Sequence, residues 1–277
     1  MALADSELIG DPMTSPINRE QLASAVRLLR GTVSESDALL QIDPDVPVSF
    51  YTPGSQAEPD TGCIGSDLVD DMLAHVNLLL VASLDHADCL ATWGEGALDG
   101  RPTPIFPIWS VARSVVEACA TVRWLLDESI SERIRAERAL TEQMVDARSQ
   151  WVDSDDGAAR KKKIEEYANS LDLKRTDERF VTYFGDRPQS RNELVSLLLP
   201  GADGFDQYSL MSGISHSEPW AIQSVGFTSE EDPDSPGNVR MMKTYKPEYL
   251  FLATMITRSA LDRATKALVS YRSAPAP

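Results

Sequence analysis

SDLVDDMLAHVNLLLVASLDHADCLATW, running from Ser66 to Trp93, reads as one long helix. Ser66 supplies an N-cap hydroxyl, and the middle of the stretch is apolar on nearly every face, the pattern of a helix buried on all sides. Gly94 and Gly96 are expected to end it. A Pro-rich turn, Arg101 to Pro107, leads into IWSVARSVVEACATVRWLLDE (Ile108 to Glu128), a second buried helix reaching about Leu126. A third is expected from near Ser131, with Glu132 in its first turn, to about Trp151. The short links favour antiparallel neighbours. The fold class that follows is all-α: a helical bundle of antiparallel long helices with additional short helices and long surface loops.

Outward from this centre the signals are more local. Asn18 followed by Gln21 fits a capping box, opening a helix through Leu22, Ala25, Val26, Leu28 and Leu29 that should stop at Gly31. Residues 43–65, rich in Pro, Asp and Gly, read as a loop. The mixed run Arg160-Lys161-Lys162-Lys163 before Glu165-Glu166 reads as a solvated helix start. A short helix is expected over 190–199 and another from Phe205 to Ser217, broken near Pro219. Residues 228–238 read as an exposed acidic loop, and 239–245 as a short extended piece. Pro247 suits the first turn of a last long helix ending near Tyr271. Residues 1–14 and 273–277 are expected to be disordered. With no internal repeat and no βαβ alternation, residues 1–277 read as a single helical domain.

Composition narrows the function classes. A hydrophobic fraction of 42% supports a sizeable core, and a formal net charge of −17 repels phosphate backbones. Nucleic acid is therefore a disfavoured partner; a neutral or cationic small molecule, or a basic protein partner, is electrostatically easier to accept, and a small molecule or a peptide is the expected partner. The N-terminal segment lacks a basic, then apolar, leader pattern, and the longest apolar run, Leu78 to Ala82, is too short to cross a bilayer. No membrane association and a cytoplasmic location are expected. Cys63, Cys89 and Cys119 are odd in number and form no C-x-x-C, against a disulfide framework and a thiolate zinc site. Neither a metal nor another cofactor is expected.

Candidate site residues are polar positions inside apolar helices. Ser110, Ser114, Glu117 and Thr121 fall at spacings of four, three and four, and so line one helix face, with Arg113 one turn before Glu117. In FDQYSLMSGISHSEPW, Tyr208, Ser212 and Ser215 share a second face beside His216, and Trp220 follows the break at Pro219. Asp85 and His86 add a third group on the central helix. Carboxylates, a guanidinium and imidazoles in one pocket offer general acid–base chemistry, with Glu117 and His216 as the catalytic candidates. They equally offer ligand binding through Asp85, His86, Arg113, Tyr208, Ser212 and Trp220. A structural ion pair between Arg113 and Glu117 is the plain alternative. No Glu-x-x-His pair, P-loop, G-x-S-x-G, G-x-G-x-x-G or H-E-x-x-H occurs.

Two stretches together carry a resemblance: the Asp85-His86 helix followed by ARSVVEACATVRWLLDE, with Arg133, Arg135 and Arg138 beyond it, and YSLMSGISHSEPW. The pairing resembles a group of actinobacterial all-helical proteins of unknown function that carry an Arg-x-x-x-Glu helix before "WLLD" and a later Tyr…Ser…His segment. The resemblance covers about residues 70–150 and 205–225. It implies that Asp85, His86, Arg113, Glu117, Tyr208, Ser212 and His216 form a shared polar set. Such proteins also look distantly like HEPN-type helical domains, some of them ribonucleases of toxin or defence systems. That active site needs an Arg four to six residues before a His, and none of the three histidines here has one. The sequence thus supports a bundle with a central polar pocket for a small molecule or peptide, or an acid–base enzyme. A HEPN-like ribonuclease or defence protein, and a structural homo-oligomer, are the alternatives.

Overall fold

The computed structural model describes residues 17–40, 51–149, 155–178, 182–185, 187–199, 202–231, 239–243 and 246–274. In chain order the elements are α1 (Arg19–Leu40), α2 (Ala57–Ile64), α3 (Ser66–Leu98), α4 (Pro107–Leu125), α5 (Glu132–Ser149), α6 (Asp155–Ser170), β1 (Arg175–Asp177), β2 (Thr182–Phe184), α7 (Arg191–Leu198), α8 (Ala202–Ser215), α9 (Pro219–Gly226), β3 (Phe227–Glu231), β4 (Val239–Lys243) and α10 (Pro247–Arg272). The fold is all-α. Its strands form two antiparallel pairs, β1 with β2 and β3 with β4, the second in the register Phe227 to Lys243 and Glu231 to Val239. No helix among the described residues is long and apolar enough to cross a membrane.

The chain divides into two compact units. One comprises the described residues of Met1–Leu39, Val81–Ala118 and Leu199–Asp262; the other comprises those of Leu40–Leu80, Cys119–Leu198 and Arg263–Pro277. In the first, the capping box is formed as the sequence requires: Asn18 Oδ1 accepts from Gln21 N–H and Gln21 Oε1 accepts from Asn18 N–H, both at 2.9 Å. The helix then runs through Gly31 to Leu40. Nothing lies within 4 Å of a Cβ at Gly31, so its only penalty is helix propensity, about 1 kcal/mol, which the buried Leu22, Ala25, Val26 and Leu29 outweigh.

The helix α3 likewise continues past Gly94 and Gly96. A Cβ at Gly94 would stand 2.4 Å from Val26 Cγ2, so this glycine allows α1 close approach and does not stop the helix. The stop is Gly100, at φ +77°, where Arg101 N–H reaches Gly96 O and Gly100 N–H reaches Ala97 O, a Schellman ending. Trp109 of α4, wholly buried, meets the Tyr249 ring edge-on at 5.8 Å.

In the second unit, the expected loop over 43–65 is overturned in part: Ala57–Ile64 is a helix with Ala57, Asp60 and Ile64 buried. Residues 41–50 lie outside those described. The β1–β2 hairpin carries no signal in the sequence pattern; Thr182, Tyr183 and Phe184 are buried, and Phe184 N–H donates to Thr141 Oγ1 of α5 at 3.1 Å. Two further expectations change. Residues 228–231, expected in an acidic loop, are strand β3, paired with the extended piece that was expected and is β4. At the tail, Ala274 N–H donates to Thr52 Oγ1 at 2.8 Å, so Ser273 and Ala274 are placed; the expected disorder of 1–14 and 275–277, and the remainder of the acidic loop at 232–238, lie outside the described residues.

Asp60 is the centre of the second unit. It is fully buried, its Oδ1 3.3 Å from Arg135 Nη1 of α5, and its Oδ2 accepts the Tyr271 hydroxyl of α10 at 2.5 Å. The Arg135 guanidinium also lies 5.4 Å from the Tyr271 ring centre and donates to Asp127 O at 2.7 Å. Burial pushes the Asp60 carboxyl up, against the pull of Tyr271 and Arg135. One brace therefore ties α2, α5 and α10.

Candidate functional site

Within the first unit, α4 and α8 bring part of the expected polar set together. The i, i+4 spacing sets Arg113 beside Glu117, and Arg113 Nε–H donates to Glu117 Oε1 at 2.6 Å. From α8, the Tyr208 hydroxyl donates to the same oxygen at 2.7 Å, and its ring lies 5.8 Å from the Arg113 guanidinium carbon. Arg113 Nη1 stands 3.2 Å from His216 Nε2. A guanidinium has only hydrogens to offer, so this contact needs an unprotonated Nε2, leaving Nδ1 to carry the ring hydrogen. Beside them the Ser215 hydroxyl donates to Ser110 Oγ at 3.3 Å.

Helix chemistry explains why His216 stands there. Ser217 takes φ +58°, Glu218 N–H reaches back to Gly213 O and Ser217 N–H to Ile214 O, a Schellman ending that makes His216 the C-cap of α8. Pro219 does more than break α8: it opens α9 at the first position, where its missing N–H costs nothing. A Cβ at Gly213 would lie 2.8 Å from Trp220 Cζ2 and 2.7 Å from Ala221 Cβ, so glycine there lets α9 fold back on α8.

The electrostatics favour a fixed, charged scaffold. Burial works against the Arg113 cation, but the hydrogen bond and charge of Glu117 outweigh it and raise its affinity for the proton. Burial first, then the Glu117 bond and charge, push the Tyr208 phenol up to about 12. Tyr208, 3% exposed, is a brace under the cluster and not a proton acceptor near neutrality. The side chains of Arg113 and Glu117 are 18% and 28% exposed, and His216 is exposed. The cluster is thus a shelf opening to the surface. Two hollows, of about 500 and 440 Å³, are lined by other residues.

The remaining expected residues fall apart from it or beside it. Ser212 is half-buried and its carbonyl accepts from His216 N–H at 3.0 Å. Trp220 is 52% exposed, with its indole N–H on the Glu218 carboxylate and its ring against Gly213. Ser114 is exposed and turned to Ser110 O. Asp85 is exposed, and His86 Nδ1 lies 2.7 Å from Ala82 O, one turn back. Among the described residues no hydrogen bond or ion pair joins Asp85 or His86 to Arg113, Glu117, Tyr208 or His216. Thr121, at the end of the stripe, is buried in the other unit and accepts from Arg191. No group of three or more His, Cys, Asp or Glu residues among those described could hold a metal ion. Compared with family models, with curated proteins and with solved structures, the chain matches none.

Proposed function

We propose that the shelf formed by Arg113, Glu117, Tyr208 and His216 binds a small molecule or a peptide end. The ligand presents a carboxylate or carbonyl oxygen to Arg113 and His216 and an apolar group towards the exposed indole of Trp220. One observation carries this reading: an arginine braced from below by Glu117 and Tyr208 reaches an exposed imidazole on a different helix. Glu117 and His216 engage only part of the guanidinium's donors, and a fork so held is preorganised for a planar oxyanion. Ser110 and Ser215 add adaptable hydroxyls beside it. Binding is favoured over acid–base catalysis because Glu117 Oε1 already accepts two hydrogen bonds and His216 Nε2 is engaged by Arg113.

The test is calorimetric titration of the full chain with N-acetylphenylalanine and with its carboxamide. The acid should bind more tightly than the amide, and Arg113→Ala should remove that preference. Tyr208→Phe, which leaves the upper face of the shelf intact, should retain it. Equal affinity for the two probes, or a preference untouched by Arg113→Ala, would refute the reading.

A further inference from the structure

Resting on the reading of the shelf as an oxyanion site, we infer that its ligand is a peptide C-terminus ending in lysine or arginine. The terminal carboxylate lies on Arg113 and His216, and the side-chain cation lies at a second subsite made by Trp220 and Glu218. Residues 215–220 are exposed without interruption. Within that run the Trp220 indole N–H donates to the Glu218 carboxylate, so ring and charge are held against each other. The indole is 52% exposed and rests on Gly213 of α8.

This pair has the chemistry of a cation site. An indole face attracts an ammonium or guanidinium more strongly than any other aromatic side chain, and a carboxylate at its edge supplies the opposite charge. One bond from the indole leaves that carboxylate with lone pairs to spare. Among the described residues no lysine or arginine forms an ion pair with Glu218. Within the shelf Glu117 balances Arg113 at 2.6 Å, whereas Glu218 adds a further negative charge at the rim. A ligand carrying only a carboxylate would add to the charge of a chain whose formal net charge is −17; one that also brings a cation does not.

The backbone sets the spacing of the two subsites. Ser217, at φ +58°, reverses the chain after His216, and Glu218 N–H reaches back to Gly213 O at 2.8 Å. Glu218 and Trp220 therefore lie alongside the last turn of α8. Gly213, against the indole, is three residues before His216, about 5 Å along the helix axis. An α-ammonium is bound to the carbon that carries the carboxylate and does not span that interval. A lysine ammonium, at the end of its flexible four-carbon stem, does, and the stem is the apolar group laid on the indole. Because the shelf opens to the surface, the chain leading to the last residue has room to leave.

The experiment is calorimetric titration of the full chain with Nα-acetyllysine and with Nα-acetylnorleucine, the same molecule without its ammonium, at constant ionic strength. Both should bind, the lysine derivative about fivefold more tightly, as one exposed cation–π contact and one exposed ion pair together imply. Glu218→Gln keeps an acceptor for the indole N–H and removes the charge; it should bring the ratio down to about twofold. Adding Trp220→Leu should bring the two affinities together, and Arg113→Ala should weaken both probes alike. Equal affinities in the native chain, or a ratio that Glu218→Gln leaves at its native value, would overturn the cation subsite and leave the Arg113-dependent carboxylate site standing. If neither probe binds, the carboxylate site and the cation subsite fall together.

Discussion

Replacing Tyr271 by Phe removes one oxygen from the centre of the second unit and should cost far more than its size implies. The ring stays and no cavity opens, so packing is unchanged. What goes is a hydroxyl donated at 2.5 Å to Asp60 Oδ2, in a place where Tyr271, Asp60 and Arg135 are each no more than 1% exposed. A hydrogen bond to a charged group contributes about 1.5–3 kcal/mol, and burial this complete leaves the carboxylate oxygen without access to bulk solvent. We therefore expect a loss of about 2 kcal/mol, which in a chain of this size lowers the melting temperature by roughly 4–8 °C. The assay is thermal melting followed by far-UV circular dichroism, with Tyr167→Phe, a half-buried tyrosine of α6, as the control expected within about 0.5 kcal/mol of the native chain. Asp60→Asn should cost about 3–5 kcal/mol because it strips Arg135 of its buried carboxylate. The two substitutions share one interaction, so the double variant should lose less than their sum. A Tyr271→Phe protein that melts with the native one, or strictly additive losses, would refute the brace.

The other predictions test different contacts. Tyr208→Phe should cost about 1–2 kcal/mol through the lost bond to Glu117. Since the folded phenol is pushed up to about 12, above its unfolded value, that stabilisation should be intact below pH 10 and drain away as pH rises towards 12. Urea unfolding of the two proteins across that window reads the difference. Gly94→Ala, a substitution that ordinarily strengthens a helix, should instead destabilise the protein, because the new methyl meets Val26 at 2.4 Å; adding Val26→Ala should recover part of the loss. Burial holds the His75 imidazole below its ordinary range, with the charges of Glu142, Asp146, Arg160 and Arg191 acting around it. Its unfolded form therefore takes up the proton first. The stability linked to it should be present above about pH 6.5 and fall as pH drops from there, a slope that His75→Gln should flatten in denaturant titrations.

How far the sequence could carry this picture depends on the range of the contacts. The Asn18–Gln21 capping box and the Arg113–Glu117 pair are set by spacings of three and four along one helix, so they are legible at once. The link to Tyr208 and His216 spans 91 and 103 residues; helix faces nominate its members, but only packing joins them. Asp60 and Tyr271 are 211 residues apart, and Asp60 stands in a Pro- and Gly-rich stretch that reads as loop. Nothing local marks it as a buried charge. The glycines misled in the opposite direction: Gly31 and Gly94 sit inside helices because tertiary burial overrides propensity, and at Gly94 because a neighbour's methyl needs the space. Local chemistry marks Pro219 as a break, and packing makes it a beginning as well, the first residue of α9. Asp85 and His86 are polar residues on a long helix whose face turns to solvent, a distinction periodicity alone does not make.

The proposed shelf is tested most directly by the ring signals of the three histidines in a ¹H–¹³C correlation spectrum, with N-acetylphenylalanine titrated into the full chain and His216→Gln supplying the assignment. The account predicts that the His216 Cε1 signal moves saturably while those of His75 and His86 stay in place, and that Arg113→Ala abolishes the movement. A His216 signal that ignores the probe, or that responds equally with and without Arg113, would contradict it.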